Sequence, residues 1–309
     1  MNDTSNRLFS GKYPHFFLAQ GFVTAPVGNT LHGPRFITIL CLLALLAPLV
    51  ALAQPEQGAE LTMSGSVMHF GYQEFDDTGK LLDREDGYIP GLALGLSQTV
   101  DRWVFAGDFS YHIGDVIYTG QTNTGIPLST STRQNISDIA MHTEYWLNGR
   151  NSPGYAFYLG AGYHQWDRDI QPTNTVSGIP VSGLFESYQW WSGFIGIKTE
   201  FYQSVSSRWQ LDTRLMRTVN PSIYVSNNGA YDSVRLALGE RWSARLSLPW
   251  RYTIHQYSSL SVEPYVESYQ LGRSPTSPLT TNGATVGSVF EPHSQTINYG
   301  LSIGINQHF

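Results

Sequence analysis

From residue 54 onward, side-chain character alternates with a period of two, and this constrains the chain more than any other feature. In 103–113, Trp103, Phe105, Gly107, Phe109, Tyr111 and Ile113 share one face, and Asp108, Ser110 and His112 lie on the other. In 155–168, Tyr155, Phe157, Leu159, Ala161 and Tyr163 oppose Gly160, Gly162, His164 and Arg168. Successive side chains of a strand point to opposite faces, so this period demands strands. No stretch after residue 54 carries the 3.6-residue period of an amphipathic helix. The fold class is therefore all-β.

Ten alternating segments are legible, near 60–75, 87–99, 103–115, 133–147, 155–168, 187–202, 208–219, 232–254, 260–272 and 290–309. The first is the weakest. The connections alternate between short (100–102, 148–154, 203–207, 255–259) and long (76–86, 116–132, 169–186, 220–231, 273–289). Short turns at one end and long loops at the other are the arrangement of a transmembrane antiparallel up-and-down β-barrel. About ten strands are expected. Eight or twelve are the alternatives, because the first segment is weak and 232–254 is long enough to hide a turn at Pro249.

A soluble β-sandwich or lipocalin-like barrel is the competing architecture. Composition opposes it. Only 14% of residues are charged, and Lys12, Lys80 and Lys198 are the only lysines, whereas a soluble surface carries more. Aromatic residues also bracket the apolar runs: Trp103 and Tyr111, Tyr155 and Tyr163, Trp191 and Phe201. About eight residues between brackets, at about 3.3 Å each and tilted about 40°, give roughly 20 Å, close to the apolar band between two aromatic girdles. The net charge of −6 offers no footprint for nucleic acid. The lone Cys41 can form neither an internal disulfide nor a metal cluster. The sequence calls for no cofactor or metal.

The N-terminal 53 residues read as an extension and a signal peptide. The apolar run is 36–53, preceded by His32 and Arg35, and Ala51-Leu52-Ala53 is an A-x-A cleavage pattern. A single membrane anchor is the alternative, disfavoured by Pro48 and the small-residue exit. Residues 54–309 form the barrel domain.

The last segment places Ile297, Tyr299, Leu301, Ile303, Ile305 and Phe309 on one face, with Asn298, Gly300, Ser302, Gly304, Asn306 and His308 on the other. This resembles the C-terminal insertion signal of Gram-negative outer-membrane barrels, with Gln307 departing from the usual apolar choice. The resemblance covers 54–309 and implies location in the cell outer membrane after export. It also implies outer-membrane lipid and lipopolysaccharide as surroundings, and recognition by the barrel-assembly machinery through β-augmentation. It sets no oligomeric state. Ten strands also match the size of the omptin surface proteases, whose pattern requires acidic and His residues near the extracellular rim. Trp166-Asp167-Arg168-Asp169 lies at such a rim, but no Asp-x-His motif accompanies it.

Opposite the apolar face lie Asp108, His112, Asp138, His142, Glu144, His164, Arg168, Lys198, Glu200, Asp212, Arg214, Arg235, Arg241, Arg245, Arg251, Glu263 and Glu267. Closing the short turns puts Arg251 opposite Glu263, Lys198 opposite Asp212 and Asp138 opposite His164. The expected lumen is thus a charge ladder, with an arginine row (Arg235, Arg241, Arg245, Arg251) balanced by Glu263 and Glu267. Paired charges are tolerated in a confined interior and unpaired ones are costly. A structural or porin-like barrel without enzymatic activity is the leading reading. A lipid-modifying hydrolase or omptin-like protease is the alternative. Its weak candidates are Asp108 with His142 and His112 with Asp138, with Ser110 and Ser137 nearby as nucleophiles.

Overall fold

A computed structural model describes residues 58–122, 125–147, 154–226 and 231–309. The extension and apolar run at 1–53 lie outside the described residues. Ten strands close into an antiparallel barrel: β1 (Ala59–Phe75), β2 (Leu81–Val100), β3 (Trp103–Gln121), β4 (Pro127–Trp146), β5 (Tyr155–Ile170), β6 (Leu184–Gln203), β7 (Ser207–Ser226), β8, β9 (Ser258–Leu271) and β10 (His293–His308). Strand β8 runs in three pieces, β8a (Val234–Ala237), β8b (Trp242–Ser247) and β8c (Trp250–His255). Strand β1, the weakest segment in sequence, closes the barrel by pairing with both β2 and β10. Pieces β8b and β8c each pair with β7 and β9, so Pro249 interrupts one strand and starts no turn.

The alternation sorts the faces. Val67, Leu92, Phe157, Leu159, Ile195 and Ile303 point outward and are each more than half exposed. Such a belt is costly in water and favourable against lipid tails, where closed barrels leave no unpaired backbone. Tilted aromatic pairs edge it. Trp103 and Tyr145 lie 4.8 Å apart between ring centroids at the lower end, and Tyr163 and Trp191 lie 5.0 Å apart higher up. Shallow relief interrupts the belt, with an apolar concavity of about 990 Å³ touching Phe157, Leu159, Ile195, Leu215 and Leu246.

The strands are longer than their apolar belts. Much of 76–86, 116–132 and 220–231, expected as long loops, is strand that climbs beyond the belt. Strands β6 and β7 have 20 residues each, which at about 3.3 Å per residue and about 40° tilt is roughly 50 Å of barrel against an apolar band of about 25 Å. Polar outward residues such as Arg84 and Arg133 hid these upper ends, because nothing there needs an apolar face. Two of the expected loops persist and carry small hairpins, Thr173–Asn174 with Pro180–Val181 and Ser277–Thr281 with Ala284–Val289.

One expected phase is wrong. Val234, Leu236 and Leu238 continue the apolar face of Trp242 and Leu246 in sequence, yet Leu236 and Leu238 are buried inside while Trp242 and Leu246 are exposed outside. The phase flips where β8 leaves the ladder at 239–241. Opposite this gap, Asn220 of β7 adopts φ 50°, and the β6–β7 register slips between Gln189 and Trp191. An extra residue turns every later side chain to the other face. Arg235 therefore points outward, its guanidinium 5.9 Å from the Tyr224 ring, and leaves the arginine row. Arg241 falls in the irregular stretch, exposed, and donates to the Glu240 carbonyl at 3.4 Å.

Candidate functional site in the barrel lumen

The inward side chains form three tiers. The lowest surrounds a cavity of about 130 Å³ lined by Glu60, Asp108, His142, Glu144, Lys198 and Arg251, among others. Lys198 stands opposite Asp212 in register, as expected, but its ammonium is paired with Glu144. Tyr158 takes Asp212 instead, donating at 2.5 Å. Arg251 stands opposite Ser261, and its guanidinium reaches Glu60 at 2.9 Å. The expected Arg251–Glu263 pair is thus replaced. The chain between β8c and β9 turns within 256–257 and the register slips between Thr253 and His255, which together shift the pairing by two residues.

In the middle tier Arg245 bridges Glu263 and Glu267, at 3.2 and 3.3 Å, and lies 4.1 Å from the Tyr265 ring. Asp138 and His164 stand opposite one another, as expected, and their side chains are paired. Asp108 lies 3.5 Å from His142, whose other ring nitrogen is 3.0 Å from Glu144.

The geometry brings Asp108 to His142, as expected, but the serines expected beside the two acid–histidine pairs are placed otherwise. Ser137 shares the outward face of Ile139 and Met141. Ser110 donates to Asp138 at 3.3 Å. The hydroxyl that meets His112 is Ser66, at 3.0 Å from Nε2, while His112 Nδ1 has no partner. Asp138 is engaged by His164 and Ser110, so no carboxylate orients the imidazole as nucleophilic catalysis requires. Among the described residues no group of three or more His, Cys, Asp or Glu side chains is arranged to hold a metal.

The top tier was not foreseen. Arg168 of β5 is 1% exposed. Its Nη1 donates to Glu186 at 2.6 Å and Glu74 at 3.2 Å, and its Nη2 to Glu85 at 3.0 Å. Nη1 also meets the hydroxyls of Tyr188 and Tyr72, at 3.1 and 3.3 Å, and the guanidinium lies 4.3 Å from the Tyr72 ring. Gln134 links the cluster onward, donating to Glu85 and accepting from Trp166 Nε1, both at 2.6 Å. Asp83 and Glu291 complete a set of five buried carboxyls. Burial and the neighbouring Glu74 and Glu186 push the Glu291 carboxyl well above its usual range. Beneath and beside this cluster pack Phe70, Ile89, Tyr118, Trp166, Ile223, Leu236 and Leu271, all 2% exposed or less, and above it lie Ile170, Leu184 and Val289. Among the described residues, aromatic and aliphatic side chains thus surround the cluster.

Asp83, Glu85 and Glu186 lie on the upper strand ends, beyond the alternating segments 87–99 and 187–202. The usable signal was the i, i+2 spacing of Tyr72 with Glu74 and of Asp83 with Glu85, which keeps the inward phase of each strand.

No family model matches the chain, and no curated protein matches it. Among solved structures it is similar to the outer membrane protease OmpT from Escherichia coli, over 82% of this chain and 96% of that one, with 9% identity and a TM-score of 0.56. The translocator domain of the autotransporter NalP from Neisseria meningitidis aligns over 89% and 96%, with 8% identity and a TM-score of 0.43. The outer membrane protein OprG from Pseudomonas aeruginosa aligns over 82% and 96%, with 9% identity and a TM-score of 0.35. The OmpT likeness supports the barrel fold and nothing finer.

Proposed function

Since the chain has the fold of the Gram-negative outer-membrane β-barrels, we propose that it serves there as a sealed structural barrel, carrying its loops on a rigid stem above the lipid. The observation behind this reading is the burial of Arg168 among Glu74, Glu85 and Glu186 beneath an apolar roof. A guanidinium held by three carboxylates and stacked on aromatics is a plug, and a pore would keep its charges wet. Strands that rise well past the apolar belt give the loops a stiff support. The partners that fit are outer-membrane lipid and lipopolysaccharide around the belt, and the barrel-assembly machinery during insertion.

Planar-bilayer recording of the purified protein tests this. The sealed barrel gives no steady ohmic conductance, and Arg168→Ala, which empties the centre of the plug, raises it. A steady conductance in the wild-type protein at about pH 5–6 would overturn the reading in favour of a porin-like pore.

A further inference from the structure

The upper chamber holds five carboxyls and a single guanidinium. Glu74 and Asp83 stand directly opposite one another on β1 and β2. The Asp83 carboxyl accepts from the Tyr118 hydroxyl at 3.3 Å. Glu291 is the one member that does not come from a barrel strand. It lies between the 277–289 hairpin and β10, and it accepts a hydrogen bond from Tyr188 at 2.6 Å. Its backbone is tied into the same segment, its N–H donating to Ser274 Oγ at 2.8 Å and its carbonyl accepting from Ser274 N–H at 2.9 Å. Val289, two residues earlier, is 2% exposed and packs into the apolar roof. The 272–292 segment thus closes the chamber, and Glu291 is its buried ionisable contact with the barrel wall.

The charges around Glu291 are one-sided. Glu74 and Tyr72 face it from β1, Arg168 from β5, and Glu186 and Tyr188 from β6, while Asp83 and Glu85 of β2 and Tyr118 of β3 stand behind Glu74 in the same cluster. Strand β4 contributes only the neutral Gln134. On the segment itself Arg273 is turned away, over the Phe290 ring at 3.9 Å and against Asp77 at 3.3 Å. Arg168 is already shared among three carboxylates, so among the described residues a further negative charge meets no free cation here.

We propose that the 272–292 segment is a pH-responsive cap on the upper chamber, seated while Glu291 carries a proton and lifted when Glu291 ionises. A carboxyl that is harder to ionise in the seated state stabilises that state fully below the ordinary carboxyl pKa, about 4.3. That stability is lost as pH rises through the elevated value. The far end of the hairpin is held differently. The exposed Asp232 carboxylate accepts from the N–H groups of Asn282 and Gly283, at 3.1 and 2.9 Å, and these bonds keep it ionised below the usual carboxylate range. Raising the pH from about 5 leaves that anchor unchanged, so the hinge end stays tied while the Glu291 end is released.

This inference rests on the sealed-lumen reading, and the two fail differently. The test is digestion of the folded full-length protein in micelles with proteinase K at about pH 5.5 and about pH 9. Cleavage within 272–292 is normalised to an unstructured peptide at each pH and to the 76–80 turn. Wild-type cleavage at the cap is expected to rise about tenfold or more at the higher pH, the population change that follows one unit of linked titration. Glu291→Gln should stay protected at both values. Glu186→Gln, which removes one of the two repelling carboxylates, should reduce the rise and serves if the first variant does not fold. Equal wild-type protection at both pH values overturns the cap. So does a rise that persists unchanged in whichever of the two variants folds. Steady conductance at low pH would instead overturn the sealed lumen.

Discussion

The Arg245 guanidinium holds two carboxylates of the same neighbouring strand, Nη2 on Glu263 at 3.2 Å and Nη1 on Glu267 at 3.3 Å. Glu263 and Glu267 are four residues apart on β9, so both face inward, and the planar fork of one arginine spans them. The three side chains are about a quarter to a third exposed, which places the bridge between the buried and the surface regimes.

The first prediction follows from that position. A double-mutant cycle of Glu263→Gln with Arg245→Gln should show coupling of about 1–2 kcal/mol, below the full cost of stranding a buried charge and above a solvent-exposed pair. The same cycle with Arg251→Gln should show none, since Arg251 pairs with Glu60. Urea unfolding in micelles is the measurement. Larger coupling with Arg251 than with Arg245 would contradict the register.

Arg168 should be the most sensitive interior position. Arg168→Gln leaves Glu74, Glu85 and Glu186 without their cation, and breaking a buried ion pair typically costs about 3–5 kcal/mol. The deficit should grow with pH, because each carboxyl that ionises then lacks a counter-charge. Unfolding midpoints at about pH 5 and pH 9 check both statements, and a loss under about 1 kcal/mol at both pH values would contradict the burial argument.

On the lipid face, Ile303 is 51% exposed within the belt. Ile303→Arg should cost about 2–4 kcal/mol near mid-membrane, while Thr119→Arg, across from Arg84 and above the belt, should cost little. Refolding yield into liposomes, read by heat-modifiable migration, distinguishes the two heights. Equal yields would mean that the belt does not sit at the depth assigned to it.

The Ser66–His112 contact at 3.0 Å offers a direct check on the hydrolase alternative. With His112 Nδ1 unpartnered, Ser66 should not react with a fluorophosphonate probe, and Ser66→Ala should leave the labelling of the folded protein unchanged. Stoichiometric labelling abolished by Ser66→Ala would establish an activated serine.

The backbone at Asn220 carries a further expectation. Its φ of 50° is tolerated by Asn and Gly and costs other residues about 1–2 kcal/mol. Asn220→Ala should therefore lower stability by about that amount and Asn220→Gly should not, as measured by thermal unfolding. The reverse order would show that the phase change of β7 does not depend on this residue.

Period-two alternation is local, and the sequence alone determined what is local: the strand class, the outward belt through Phe157, Leu159 and Ile303, and the inward parity of Asp138, His164 and Arg245. The Asp138–His164 pair was legible as well, because one connection separates its strands and the register error stayed small. Two kinds of fact were not local. Arg251 missed Glu263 because a turn three residues shorter, with a register slip beside it, moves the whole pairing, and it met Glu60, 191 positions away, only because β1 and β9 both flank β10. Arg235 turned outward because a bulge at Asn220 matched a break at 239–241 on the next strand, which no alternation within either segment records. The Arg168 cluster needed both effects at once. Its members come from β1, β2, β5, β6 and the 272–292 segment, and they meet only where barrel closure and strand tilt bring those elements to one height. Side-chain parity is a property of one strand, whereas the partner of a charge is a property of the closed sheet, and only the tertiary structure decided it.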